Sequence, residues 1–166
     1  MSKILVIDPE KCTGCRLCEQ VCSVKHERVV NPYRARIKVV KWEMEGKILP
    51  VVCQQCEDAP CAAACPGHAI ARNPETGALE VNYTLCIGCR TCMNVCPFGA
   101  MGFDWVENRV IKCDLCGGDP QCARFCETGA ILYVDKSELS SLKQKKGAES
   151  LMDLMTKVTA AITQAG

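Results

Sequence analysis

Sixteen cysteines stand in four tight groups, and none is left over. The groups are Cys12, Cys15, Cys18, Cys22; Cys53, Cys56, Cys61, Cys65; Cys86, Cys89, Cys92, Cys96; and Cys113, Cys116, Cys122, Cys126. The first and third read C-x2-C-x2-C-x3-C. The second widens the middle gap to four residues and the fourth to five. Three chemistries use cysteine at this density: disulfide scaffolds, structural zinc and iron–sulfur clusters.

Disulfides need an oxidising compartment. The N-terminus has an apolar run of four residues, Ile4 to Ile7, followed by Asp8. That is far short of a signal-peptide core. No stretch approaches the roughly 20 apolar residues of a membrane helix. A cytoplasmic chain with reduced thiols is expected; export alongside a partner that carries the signal is the alternative. Four-thiolate zinc sites usually come as two separated C-x2-C knuckles. These quartets are compact instead, and Pro66 and Pro97 follow the last cysteines of the second and third, as in bacterial ferredoxin runs. Zinc is least excluded at the fourth quartet, where Gly117-Gly118 loosen the loop and Glu127 follows Cys126. Cubane 4Fe–4S clusters on all sixteen cysteines are the expectation.

The spacing has a physical reason. Three cysteines at short intervals wrap a tight loop around one corner of a cubane, with backbone amides turned toward its sulfurs. The fourth cysteine is expected to open a short helix leading away, and so to ligate the other cluster of a pair. Gly14 and Gly88 sit in such loops, where a missing Cβ permits close approach. Short extended segments flank the loops: Ile4–Ile7 before the first, Ala69–Ala71 after the second, Leu79–Val81 before the third, Ala130–Val134 after the fourth. Asn73-Pro74-Glu75-Thr76-Gly77 is a turn between two of them. The pattern is a two-cluster ferredoxin plan, duplicated. A further hairpin is expected from Arg36–Glu43 and Lys47–Val52 around Met44-Glu45-Gly46. Trp42 is read as packing within it, a cluster cap or partner contact being the alternative.

Composition agrees. Three Phe, three Tyr and two Trp make a thin conventional core. Clusters can replace it, and their ligation then supplies folding free energy. The formal charge is +1, which gives no basic footprint for nucleic acid. With roughly −2 for each four-thiolate oxidised cluster, the loaded protein would be anionic. His26 and His68 are surplus as ligands because every quartet is complete. Lys11, Arg16, Arg90 and Lys112 flank the loops and are read as solvated surface.

The motifs Asp8-Pro9-Glu10-Lys11-Cys12-Thr13-Gly14-Cys15, Cys53-Gln54-Gln55-Cys56 with Ala59-Pro60-Cys61, Cys86-Ile87-Gly88-Cys89-Arg90 and Lys112-Cys113-Asp114-Leu115-Cys116 carry a specific resemblance. From about Ile4 to Val134 the chain resembles the four-cluster iron–sulfur subunits of the dimethyl sulfoxide reductase type. Relatives serve formate dehydrogenase, hydrogenase, carbon monoxide dehydrogenase, tungsten aldehyde oxidoreductase and benzoyl-CoA reductase complexes. The resemblance implies nested pairing: Cys12, Cys15, Cys18 with Cys126; Cys113, Cys116, Cys122 with Cys22; Cys53, Cys56, Cys61 with Cys96; and Cys86, Cys89, Cys92 with Cys65. Spacing alone equally allows consecutive quartets to pair. Some members replace a cysteine of the third group, but here all four are present. Proline is missing after Cys22 and Cys126, where Ser23 and Glu127 stand, and no ligand is lost.

An α+β fold is therefore expected, a duplicated bacterial two-cluster ferredoxin with short hairpins and helices over 1–135. A helical extension follows over 136–166. There Leu151, Leu154, Met155, Val158 and Ile162, widened by Met152, form an apolar stripe that must bury against this chain, a second copy or a partner. No acid–base or nucleophile constellation marks an enzyme. The expected role is an electron relay between a catalytic subunit, tungsten- or molybdenum-pterin by analogy, and a flavin subunit, a ferredoxin or a further copy. A free-standing polyferredoxin is the alternative.

Overall fold

A computed structural model of the chain describes residues 3–141 and positions 144, 147, 148, 152, 155 and 156. The strands are β1 (Lys3–Ile7), β2 (Ile37–Trp42), β3 (Lys47–Val52), β4 (Ile70–Arg72), β5 (Leu79–Val81), β6 (Gly102–Asp104), β7 (Arg109–Ile111) and β8 (Ile131–Asp135). The helices are α1 (Leu17–Glu27) and three single turns, α2 (Pro60–Ala63), α3 (Thr91–Asn94) and α4 (Gln121–Arg124). The fold is α+β, with four separate antiparallel pairs: β1–β8, β2–β3, β4–β5 and β6–β7.

Two of these pairs decide where the cysteines meet. β1 leads into the first quartet and β8 leaves the fourth. They align from Lys3 opposite Asp135 to Ile7 opposite Ile131, and Asp8 N donates to Ala130 O at 2.8 Å to extend the ladder. The first and fourth loops are thus drawn together although they lie at opposite ends of the sequence. β4 leaves the second quartet and β5 enters the third, aligned Ile70 to Val81. Their turn is the one anticipated at Asn73–Gly77. Asn73 Oδ1 accepts from the amides of Glu75 and Thr76, and Gly77 takes φ +71°. Glycine suits that left-handed position because it has no Cβ to clash.

The β2–β3 hairpin also forms as read, turning through Glu43–Glu45 to Gly46 at φ +64°. Ile37, Val39, Pro50 and Val52 face inward. Trp42 stands opposite Lys47 at the hairpin's end, half-exposed.

The apolar interior is split in two, and each half contains sulfur. One half gathers Leu5, Ile37, Val52, Leu115 and Ile131 around Cys22, Cys113 and Cys122. The other gathers Ile70, Leu79, Met101, Phe103 and Val110 around Cys61 and Cys92. A charged seam ties α1 to the β6–β7 hairpin. Arg34 donates through Nε at 2.9 Å and Nη2 at 2.6 Å to Asp104 Oδ2, and through Nη2 at 2.8 Å to Glu27 Oε2. Arg36 and Arg109 also approach Glu27, at 3.9 and 3.6 Å. Asp104 is fully buried. Burial alone would raise its carboxyl, but Arg34 and the amides of Val106 and Glu107 outweigh it and hold the group below the usual carboxylate range.

After β8, Asp135 Oδ1 accepts from the amide and hydroxyl of Ser137, and a helix begins at Leu139. Met152 and Met155 of the expected stripe are exposed. Leu151, Leu154, Val158 and Ile162 lie outside the described residues.

Candidate metal centres

Each cysteine loop places a residue in the left-handed region at one shared position. It sits two positions after the first cysteine of every quartet: Gly14 at φ +70°, Gln55 at +51°, Gly88 at +70° and Leu115 at +55°. The turn is shared whether or not glycine supplies it. At Gly14 a second constraint acts. An added Cβ would lie 2.8 Å from Lys41 Cε and 3.0 Å from Ile48 Cδ1. These are the movable ends of two side chains of the β2–β3 hairpin, so the left-handed φ is the stronger demand for glycine.

The helices do not begin where the sequence suggested. The third cysteine of each quartet, not the fourth, opens the helix: Cys18, Cys61, Cys92 and Cys122 each occupy the second position of α1, α2, α3 and α4. The x3 gap that follows is one helical turn. In α1 that turn continues through Cys22. The other three helices stop after four residues, so Cys65, Cys96 and Cys126 lie beyond their ends. The next residues, Ala64, Val95 and Phe125, make the last helical bonds, from their amides back to the carbonyls of Pro60, Thr91 and Gln121.

All sixteen cysteines are free thiols, so no disulfide scaffold is present among them. A cavity of about 170 Å³ has Cys12, Cys15, Cys18 and Cys126 on its wall, with Leu17, Val39, Pro50 and Ile131. A second is lined by Cys65, Cys86, Cys89 and Cys92 beside Ile70 and Val110. Seven of the other eight thiols are linked by the charges they feel. Burial holds Cys113 far above its ordinary range, and Cys122, Cys53 and Cys22 add to it. Burial pushes Cys122 up to about 12, with Cys22, Cys116 and Cys18 contributing. Cys61 is raised by burial, lowered by Lys112, and raised again by Cys53 and Cys96. Burial also pushes Cys18 to about 12 and Cys92 to about 11, the latter with help from Cys86, Cys61, Cys65 and Cys89.

These observations test whether iron–sulfur clusters fit. The donors are soft thiols set mainly among apolar walls; the one acidic residue on either wall is Glu127, beside Cys126 in the first cavity. A water occupies about 30 Å³ of liquid, so 170 Å³ suits a body of several atoms better than a single ion. Backbone amides also donate to sulfur: Arg36 N to Cys22 at 3.2 Å and Ala69 N to Cys65 at 3.3 Å. The residues fit the group.

Two residues depart from expectation. Lys112 is not on the surface: only 3% of it is exposed, because it directly follows the buried Val110 and Ile111 of β7 and its ammonium is held by Leu79 O. Its neighbour among the flanking cations, Arg90, lies over the rings of Phe103 and Trp105 at 3.8 and 4.4 Å. His26 at the end of α1 reaches Asp114 Oδ1 at 3.4 Å and Cys116 Sγ at 3.5 Å. Sequence reading missed this contact because ninety residues separate the partners.

A small α+β frame whose loops present quartets of free thiols, five of the sixteen buried, defines the ferredoxin-like iron–sulfur class. Residues 44–136 match the family model described as 4Fe-4S dicluster domain, and residues 5–25 match the 4Fe-4S binding domain. The chain belongs to the 4Fe-4S dicluster domain family. It is 42% identical to the aliphatic sulfonate oxidoreductase, polyferredoxin-like subunit of Pyrococcus furiosus over 74% of this chain and 70% of that one. It is 40% identical to the putative electron transport protein YsaA of Escherichia coli over 87% of this chain and 99% of the other. A solved structure of the active site complex BamBC of benzoyl coenzyme A reductase overlays 91% of this chain and 89% of its own at 25% identity, with a TM-score of 0.49. The chain binds 4Fe–4S clusters, and its role is electron transfer, not catalysis. No helix of the described residues is long and apolar enough to cross a membrane.

Proposed function

We propose that the chain holds four 4Fe–4S clusters in nested pairing and relays single electrons between a catalytic oxidoreductase subunit and a second redox partner. The ligand sets are Cys12, Cys15, Cys18, Cys126; Cys22, Cys113, Cys116, Cys122; Cys53, Cys56, Cys61, Cys96; and Cys65, Cys86, Cys89, Cys92. The convergence of cysteines from the first and fourth loops on one cavity, and from the second and third on another, carries this reading. Consecutive pairing would leave Cys126 and Cys65 on the wrong walls. The repeated loop, helix and strand plan is the duplicated ferredoxin arrangement expected for a protein of the dimethyl sulfoxide reductase type.

Bound clusters supply one-electron chemistry at potentials the protein sets. The chain supplies position, dryness and order. Charge contacts between sets run in one sequence: Cys18 with Cys122, Cys53 with Cys113, Cys61 with Cys92. That order makes a row. Its two end sets contain Cys15 and Cys89, the exposed cysteines. Around the Cys89 end, Ile87, Leu85, Phe98, Trp105 and Val106 are also exposed, an apolar surface suited to a partner.

A carrier that shuttles freely needs fewer sites; a row with two open ends suits a wire between fixed sites. The polyferredoxin-like relative is itself a subunit of an oxidoreductase. We assign this chain to a cytoplasmic complex with a tungsten- or molybdenum-pterin catalytic subunit at one end. A flavin subunit, a ferredoxin or another copy stands at the other. The segment 136–166 is an extension that docks to a partner or a second copy.

The pairing is tested with Cys96→Ala. The spectroscopic signal it alters should match that altered by Cys53→Ala and differ from that altered by Cys86→Ala. Matching Cys86→Ala instead would overturn the nested sets. Native extract run on a sizing column should carry the chain in a high-mass fraction. A lone small peak would mean a free-standing polyferredoxin.

A further inference from the structure

The centre of the row contains a buried cation with no anion beside it. Lys112 Nζ donates to Leu79 O at 2.6 Å, to Cys113 O at 3.2 Å and to Gln55 Oε1 at 3.4 Å. All three acceptors are neutral. Among the described residues no carboxylate pairs with it, although Arg34, Arg36 and Arg109 all find Glu27. Gln55, itself 3% exposed, completes the cage: its Nε2 donates to Cys113 O at 2.9 Å and its Oε1 accepts from Leu79 N at 2.8 Å. Gln55 lies between Cys53 and Cys56, and Lys112 directly precedes Cys113. The cage therefore fastens the second cysteine loop to the fourth at the junction of the two halves.

A buried ammonium costs several kcal/mol in desolvation unless an opposite charge answers it. Neutral dipoles hold it in place but leave its charge uncompensated. On one side its charge acts on Cys61; on the other it holds the carbonyl of Cys113, the next residue in the chain and a ligand of the neighbouring set.

We propose that Lys112 is a charge-setting residue at the middle junction of the row, where its fixed positive charge raises the reduction potentials of the two central clusters. Adding an electron adds negative charge, so a nearby cation favours the reduced form of both sets it lies between. The two end sets, each one step further away, feel it less. This inference rests on the nested ligand sets proposed above.

The test uses the full chain, purified without oxygen, as wild type and as Lys112→Met, Lys112→Gln and Lys112→Arg. Iron and sulfide content and EPR-monitored redox titrations are measured on each. Met removes charge and donor, Gln keeps a donor without charge, and Arg keeps charge. In Met and Gln, two of the four potentials should fall, each by about tenfold in the reduced-to-oxidised ratio, or ~59 mV for one electron. Arg should restore both. Loss of iron in Met and Gln but not in Arg would equally support a role for the charge. Unchanged potentials in fully loaded Met and Gln, or iron loss in all three variants alike, would overturn it. A wild type without four titrating clusters would instead fail the ligand sets themselves.

Discussion

Stripping iron from the loaded protein will dissolve the fold rather than merely bleach it. Each half of the interior is built around cysteine: Cys22, Cys113 and Cys122 in one, Cys61 and Cys92 in the other. With the clusters gone, the sulfurs line apolar voids, and unfilled volume in a core of this size is costly. The helices among the cysteine loops give little support, since α2, α3 and α4 are single turns and short helices are marginal in water. A chelator under anaerobic conditions should therefore abolish the near-ultraviolet circular dichroism of Trp105 and Tyr133 and expose the β4–β5 region to protease. An iron-free chain that still melts cooperatively near the temperature of the loaded one would contradict this. The residual structure has a pH sign. Burial raises the folded thiols of Cys18 and Cys122 to about 12 and of Cys92 and Cys116 to about 11, from an ordinary 9.0. Folded thiols keep protons that unfolded ones release. Whatever order survives without iron is thus fully supported below about pH 9 and is lost as pH climbs through 11–12. In the loaded protein the same thiols carry no proton, and that alkaline loss should be absent.

Asp104→Ala will produce the largest loss outside the cysteines. The carboxylate is fully buried and takes two hydrogen bonds from Arg34 on one oxygen and the amides of Val106 and Glu107 on the other. Removing it leaves Arg34, with Glu27, as a buried and half-answered charge, a defect worth about 3 kcal/mol or more. For a chain of this length that corresponds to roughly 6–12 °C in the temperature at which cluster absorbance bleaches. Pairing it with Arg34→Met should recover much of the deficit, because the buried cation is removed as well. A double variant as unstable as the sum of its singles would show that the seam acts through packing alone. The carboxyl is held below its usual range, so this contribution is present at neutral pH and fades as pH falls through its folded value.

What could be read in advance was local. The quartets, the flanking strands, the Asn73–Gly77 turn and the β2–β3 hairpin all lie within a few residues of their own signals. The helix starts were misjudged by one cysteine because C-x3-C fits a helix placed before or after the last thiol. The choice is made by left-handed residues such as Arg16 and Arg90, which no spacing reveals. The features that join distant loops were invisible. Arg34 meets Asp104 seventy residues away, Lys112 reaches back to Gln55 over fifty-seven, and His26 reaches Cys116 over ninety. A lysine before a cysteine reads as surface until the buried end of β7, just before it, is known. Only the pairing of β1 with β8 shows why the first quartet meets the last.

Metal and sulfide analysis of anaerobically purified full-length protein weighs most directly on the four thiolate quartets. About 16 irons and as many acid-labile sulfides per chain are expected, with negligible zinc. A colourless preparation carrying stoichiometric zinc and almost no sulfide would contradict the account at its root.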